Sequence, residues 1–201
     1  MDRSSGYEGI SKGFLVRRGN DSTRSNAIGV KEVRNWARRL ARGSSVIDLG
    51  CGPGLPITVV LVEEGLNVFA VDGSPSFVTA FRRNLPNVPV VCDSVLETSF
   101  FDRTFDAVLA WGLMFLLDVE DQRRLIRRFA DLLVPSGRLL FTSPAKHGRW
   151  KDVMTDLESI SLGAEEYRKQ LQAAGLTIAD EYEDEGENHY FEAVKHRNLD
   201  Y

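Results

Sequence analysis

Short apolar runs recur along the chain with helical stretches between them. The runs are "SVIDLG" from Ser45, "NVFAVDGS" from Asn67, "VPVVCDS" from Val88, "FDAVLAWG" from Phe105 and "GRLLFTSP" from Gly137. Each is short and continuous, which predicts fully buried strands. Between them the apolar spacing changes to that of a helix. In "KEVRNWARRLAR" (31–42), Val33, Trp36, Ala37 and Leu40 share one face and Gly43 follows as a stop. "PITVVLVEEG" (56–65) has proline in its first turn and glycine at its end. "PSFVTAFRRNL" (75–85) is preceded by Ser74, a residue suited to an N-cap. "VEDQRRLIRRFADLLVP" (119–135) is a long amphipathic helix predicted to stop around Pro135. Five buried strands separated by helices predict a parallel sheet covered on both faces, wound by right-handed crossovers.

The rhythm changes after the fifth strand. Residues 144–162 form a poorly periodic insertion. "LGAEEYRKQLQAAG" follows as a helix with Leu162, Tyr167, Leu171 and Ala174 inward, then "LTIADEYED" and "HYFEAVK" as two strands joined only by "EGEN". That join is too short for a crossover helix, so the last pair is predicted to be antiparallel.

The first strand runs into three glycines at alternate positions, Gly50, Gly52 and Gly54, two residues after Asp48. In an open α/β sheet, ligands bind beyond the C-terminal strand ends, where this loop lies. A dinucleotide fingerprint needs a glycine at position 55, which is Leu55 here. Pro53 also removes an amide donor that a phosphate would use. Asp72 closes the second strand about 20 residues on, where a carboxylate can accept ribose hydroxyl bonds. Asp93 closes the third strand. Asp48 is expected to be nearly buried, so it needs partners: loop amides or a cationic ligand group.

The GxGxG spacing, the preceding acid and the strand order resemble the class I S-adenosylmethionine (SAM)-dependent methyltransferase superfamily over 46–195. The resemblance implies one doubly wound, Rossmann-like α/β domain. Its seven-stranded, mostly parallel sheet has the order 3-2-1-4-5-7-6, with strand 7 antiparallel. It implies SAM as cofactor, held by Asp48, Gly50, Cys51, Gly52 and Gly54, by Asp72 with Gly73 and Ser74, and by Asp93 and Ser94 at the adenine. Arg17 is a candidate partner of the cofactor carboxylate. Residues 1–30 would be an arm or lid, 31–201 the methyltransferase domain and 144–162 a substrate cap.

The acceptor side follows from topology. Strand four ends in Trp111, Gly112, Leu113, Met114 and Phe115, an apolar wall expected to meet cofactor and substrate. No Asn/Asp-Pro-Pro-Tyr/Phe run and no cysteine stands there, which argues against adenine or glutamine amino methylation and against covalent attack on a pyrimidine. The loop after strand five brings His147 and Trp150 to the same side, and the turn before strand seven brings His189 and Tyr190. His189, His147 and Tyr190 are therefore the candidate catalytic residues, and Trp111, Met114, Trp150 and Tyr7 the candidate substrate contacts. His196 follows strand seven and falls on the opposite face.

Composition narrows the reading. The 201 residues, 43% hydrophobic and 27% charged, predict one globular domain. The net charge of −4 argues against a nucleic-acid partner. Residues 1–44 are nonetheless basic at net +6, and the remainder is net −10. Residues 180–187 hold six Asp/Glu, a solvated edge or a rim that attracts amines. No secretory apolar core or membrane-length run occurs, and Cys51 and Cys92 fit no metal-ligand spacing, so a reduced, cytoplasmic protein without metal is expected. The expected activity is methyl transfer to an O, N or S atom of a small molecule, by a monomer or homodimer. The alternatives are an RNA or protein methyltransferase using the basic arm, and a non-catalytic SAM- or NAD-binding module.

Overall fold

A computed structural model describes residues 8–11, 27–152 and 156–197. Nine strands occur among them: β1 (Ser45–Leu49), β2 (Asn67–Asp72), β3 (Val90–Cys92), β4 (Phe105–Ala110), β5 (Leu133–Thr142), β6 (Gly148–Lys151), β7 (Glu158–Ser161), β8 (Leu176–Glu183) and β9 (His189–Lys195). Five α-helices accompany them: α1 (Val30–Ala37), α2 (Ile57–Glu63), α3 (Pro75–Asn84), α4 (Val119–Leu132) and α5 (Ala164–Ala173). The main sheet has the order β3-β2-β1-β4-β5-β9-β8. Strands β1 to β5 pair in parallel, and β9 pairs antiparallel with both β5 and β8. This is the order expected from the sequence, with β8 and β9 as its sixth and seventh strands.

The pleat sorts residues to two faces with a period of two. Along β4, Val108 and Ala110 join Ile47, Leu49, Phe141 and Phe191 beneath Leu125, Ile126 and Phe129 of α4 and Leu171 of α5. Ala107 and Leu109 join Val46, Val68, Leu140 and Tyr190 beneath Val33 and Trp36 of α1 and Leu61 of α2. Both layers are largely apolar at the sheet, as parallel strands buried on two sides require, with Asp48, Thr142 and Glu192 among the buried polar exceptions. No helix among the described residues is long and apolar enough to cross a membrane.

Helices α1 and α4 end earlier than the sequence predicts. Helix α1 stops at Ala37, and its last turn tightens: Arg39 N–H bonds Trp36 O and Leu40 N–H bonds Ala37 O. Helix α4 stops at Leu132, before Pro135, because Leu133 already pairs with Phe105 of β4. A proline forces the residue before it toward extended backbone, which suits a strand. Ser74 caps α3 as expected, accepting the Phe77 N–H at 3.2 Å.

The insertion after β5 is an antiparallel hairpin, β6 with β7. Its base is tied to the core by a buried polar network. Gln122 Nε2 donates to Ile160 O at 2.8 Å, and the Tyr167 hydroxyl donates to Gln122 Oε1 at 2.5 Å. Each member is satisfied, the condition under which a buried network fixes one arrangement.

Candidate active site

The site begins where β1 ends. Gly50, Gly52 and Gly54 all have positive φ, at 72°, 55° and 82°. Their surroundings differ. A Cβ on Gly54 would stand 2.9 Å from Phe81 and Leu85 of α3, so this glycine permits close packing. A Cβ on Gly52 would meet nothing within 4 Å, so that face is open to a ligand. Gly50 and Gly52 line a cavity of about 260 Å³, and Gly54 does not. Gly54 does not line the cavity, and the close approach of Phe81 and Leu85 accounts for a glycine there.

The backbone N–H groups of 50–54 are turned inward. Gly50 and Cys51 donate to Val71 O, Gly52 donates to Asp72 Oδ2 at 2.8 Å and Gly54 donates to Cys51 O. Pro53 has none. A phosphate-cradling loop needs these amides aimed outward; here each is already used.

Two carboxylates close the same cavity. Asp48 is almost fully buried and accepts the Thr58 hydroxyl at 2.6 Å. Burial pushes its pKa up to about 7, the Thr58 bond opposes this and Asp72 adds to it. Asp72 spans the loop and the start of α3, accepting Gly52 N–H and Ser74 N–H, each at 2.8 Å. Burial raises it to about 6 against those two bonds, with a small addition from Glu8. Each Asp72 oxygen keeps a second lone pair for a ligand hydroxyl.

The remaining cofactor candidates separate. Cys51 and Gly73 line the cavity. Ser74 does not: it is buried, caps α3 and donates its hydroxyl to Glu8. Glu8 also takes the Ser76 hydroxyl at 2.6 Å, so this short N-terminal turn is clasped to α3 beside Asp72. Asp93 is exposed, and its backbone N–H bonds Asp72 O at 3.1 Å. Its carboxylate accepts Ser94 N–H at 2.8 Å, and neither residue lines the cavity, whereas Val95 does. Arg17 and Tyr7 lie outside the described residues.

Trp111, Gly112, Leu113, Phe115 and Leu116 form the opposite wall. Met114 is fully buried in the core, which corrects its assignment as a substrate contact: the turn Met114–Leu116 points it inward and Phe115 outward. Trp150 packs on Phe115 with ring centroids 6.0 Å apart, so it backs the wall without lining it. Trp111 Nε1 donates to the Tyr190 hydroxyl at 2.9 Å, which donates to Asp184 Oδ2 at 2.8 Å. Tyr190 is fully buried and its pKa is driven up by that burial, so it holds Trp111 in place and is no proton carrier for the cavity.

The two histidines also depart from expectation. His189 is adjacent to Tyr190 on β9 and so faces the other side of the sheet, its ring 4.7 Å from Phe191. Its nitrogens face Glu181 at 3.2 Å and Glu183 at 3.3 Å. His147 is exposed beside Gly163. Neither lines the cavity.

Comparison with known proteins agrees with this geometry. The family described as "Methyltransferase domain" matches residues 46–137, which run from the first strand through the glycine loop, Asp72 and the Trp111 wall. Residues 46–137 are thus similar to a methyltransferase domain, and the fold is that of solved methyltransferases. An uncharacterized methyltransferase of Mycobacterium tuberculosis is 37% identical over 102 residues, 49% of this chain and 39% of that protein. A demethylmenaquinone methyltransferase of Corynebacterium urealyticum is 34% identical over 125 residues, 57% of this chain and 52% of that protein. The chain thus spans about half the length, or less, of these relatives. A TehB-like SAM-dependent methyltransferase from Corynebacterium glutamicum superposes with a TM-score of 0.75 at 19% identity, covering 94% of this chain and 99% of that one.

Several residues of this cavity carry no signal in the sequence. Thr58 sits in the first turn of α2 and offsets part of the cost of burying Asp48. Asn188 lines the cavity from the turn between β8 and β9. Asp184 organises that turn by accepting the Gly186 and Asn188 amides, each at 2.9 Å. The "DEGEN" composition signals a turn; which of its acids turns inward depends on contacts with β9.

Proposed function

We propose that the protein transfers the methyl group of SAM to a small molecule. The observation that carries this reading is the pair of buried carboxylates, Asp48 and Asp72, at a glycine loop whose own amides are already bonded. Two acids in a desolvated cavity favour a cationic ligand and repel a pyrophosphate. The residues fit SAM: Asp72 can accept ribose hydroxyls, Asp48 and the Gly50 backbone suit the methionyl ammonium, and the open face of Gly52 leaves room for the ligand. When bound, the cofactor supplies an electrophilic methyl group on a sulfonium.

The protein's contribution is position and dryness. Trp111, Leu113, Phe115 and Leu116 present an apolar wall that excludes water from a displacement at carbon. Hairpin β6–β7, with Trp150 against Phe115, is the substrate cap in this reading. The cavity is small and enclosed on both sides by the domain itself, which suits a small acceptor. Isothermal calorimetry with SAM, S-adenosylhomocysteine and NAD tests the proposal. Binding of the first two without the third is the expected result; NAD binding without SAM binding overturns it.

A further inference from the structure

We propose that Glu8 is a positioning residue of the cofactor site: from the N-terminal turn it clasps the start of α3 and so holds Asp72, Gly73 and Phe77 in place at the cavity. The inference rests on the reading above, that this cavity takes SAM. Glu8 lies outside residues 46–137, so the family match assigns it no role.

Glu8 opens a short 3-10 turn, Glu8–Ile10, which the Ser11 hydroxyl closes by donating to Glu8 O at 2.9 Å. The turn packs on α3. There the Glu8 carboxylate uses both oxygens. Oε2 accepts the Ser74 hydroxyl and, at 3.2 Å, the Ser76 N–H, and Oε1 accepts the Ser76 hydroxyl at 2.6 Å. The Ser74 and Ser76 hydroxyls hold the carboxyl below its usual range, so it is charged at neutral pH. The Ser76 N–H is one of the first-turn amides that no carbonyl of the helix can take. A negative charge suits this end of a helix, and the first turn of α3 has no acid of its own. Glu8 supplies it from 66 positions away.

Ser74 is the junction between this clasp and the cavity. Its N–H donates to Asp72 Oδ1 at 2.8 Å, its Oγ accepts the Phe77 N–H at 3.2 Å, and its hydroxyl hydrogen goes to Glu8. Ser74 is buried, so that hydrogen has no water to turn to while the turn is docked. Asp72, Gly73 and Phe77 line the cavity, and Glu8 does not. Glu8 therefore acts from behind the wall, through the residues that a ligand meets.

Coupling of this kind is reciprocal. A docked turn that raises SAM affinity is itself held down by bound SAM, by the same factor. A clasp that served the fold alone would leave the two independent.

The test has two arms. Calorimetry compares SAM binding by the native protein and by Glu8→Ala. The variant is expected to bind at least about fivefold more weakly, the effect of losing a charge-assisted hydrogen bond that holds a binding group. Hydrogen exchange of peptides covering residues 8–11 of the native protein is read with and without SAM. Exchange there is expected to slow by a similar factor when SAM is bound. A smaller loss of affinity in Glu8→Ala, or exchange at 8–11 indifferent to SAM, overturns the proposal. Should Glu8→Ala fail to fold, exchange in the native protein still decides. Absence of SAM binding by the native protein would instead refute the function proposed above, and this inference with it.

Discussion

The two walls of the cavity are built in different ways. The glycine-loop wall comes from one continuous stretch: β1, the loop, α2 and the tip of β2, with Asp48 and Asp72 bonding Thr58, Gly52 and Ser74. The opposite wall is assembled from distant segments. Trp111 leaves β4, Tyr190 comes from β9, Asp184 and Asn188 from the turn before it, and Gly29 packs against the Trp111 indole. The first wall carries desolvated charge and local bonds. The second carries apolar surface held by a relay between residues up to 79 positions apart. In the proposed reaction the cofactor would be met by local sequence and the acceptor by tertiary assembly.

The largest effect that would sharpen this contrast concerns pH. Asp48 titrates near 7 in the folded state against 3.8 as a free carboxyl, and Asp72 near 6. Between those limits the folded chain holds more protons than the unfolded one. The contribution of these two carboxyls to the stability of the unliganded protein is therefore fully present below about pH 4 and is lost as pH rises through about 7, by about 4 kcal/mol from Asp48 alone. Asp48→Asn is expected to flatten that slope in denaturant melts taken from pH 4 to pH 8. A slope unchanged by this substitution would mean that Asp48 is already solvated or paired in the free protein.

Gly54→Val is expected to cost about 3 kcal/mol, since a Cβ there meets Phe81 and Leu85 at 2.9 Å on a backbone of φ 82°. A melting temperature close to the native value would show that α3 can move away. Asp72→Ala removes the partner of two amides and the ribose acceptor. SAM affinity is expected to fall about 100-fold by calorimetry, and a loss below tenfold would place the ribose elsewhere. The smallest effect belongs to the other wall. Tyr190→Phe breaks the Trp111–Tyr190–Asp184 relay at a cost of about 1 kcal/mol, with a shift in tryptophan fluorescence and SAM affinity preserved. Loss of SAM affinity in that variant would merge the two walls into one cooperative unit.

The acceptor side was also where sequence reasoning went astray, and the reason is geometric. The turn into the last strand overhangs the pocket, which predicts both His189 and Tyr190 there. Neighbours on a strand point to opposite faces, so at most one of them could point there. Tyr190 takes the Trp111 side and His189 goes beneath α5's face with Phe191. Met114 was placed with Phe115 by adjacency, and the 3-10 turn divides them in the same way. Gly54 was joined to the ligand by its spacing, yet spacing does not reveal that Phe81 approaches it from α3.

The sequence by itself determined the alternation of buried strands and helices, the glycine loop and the two acids at adjacent strand tips, because these follow from periodicity and from contacts within about one β-α-β unit; the full strand order was implied only by the family resemblance. Only the tertiary structure decided which side chains complete the second wall. The orientation of Trp111, the burial of Asp184 and the position of Asn188 depend on β9 pairing antiparallel between β5 and β8. Such non-local pairing sets faces and registers that no local pattern encodes.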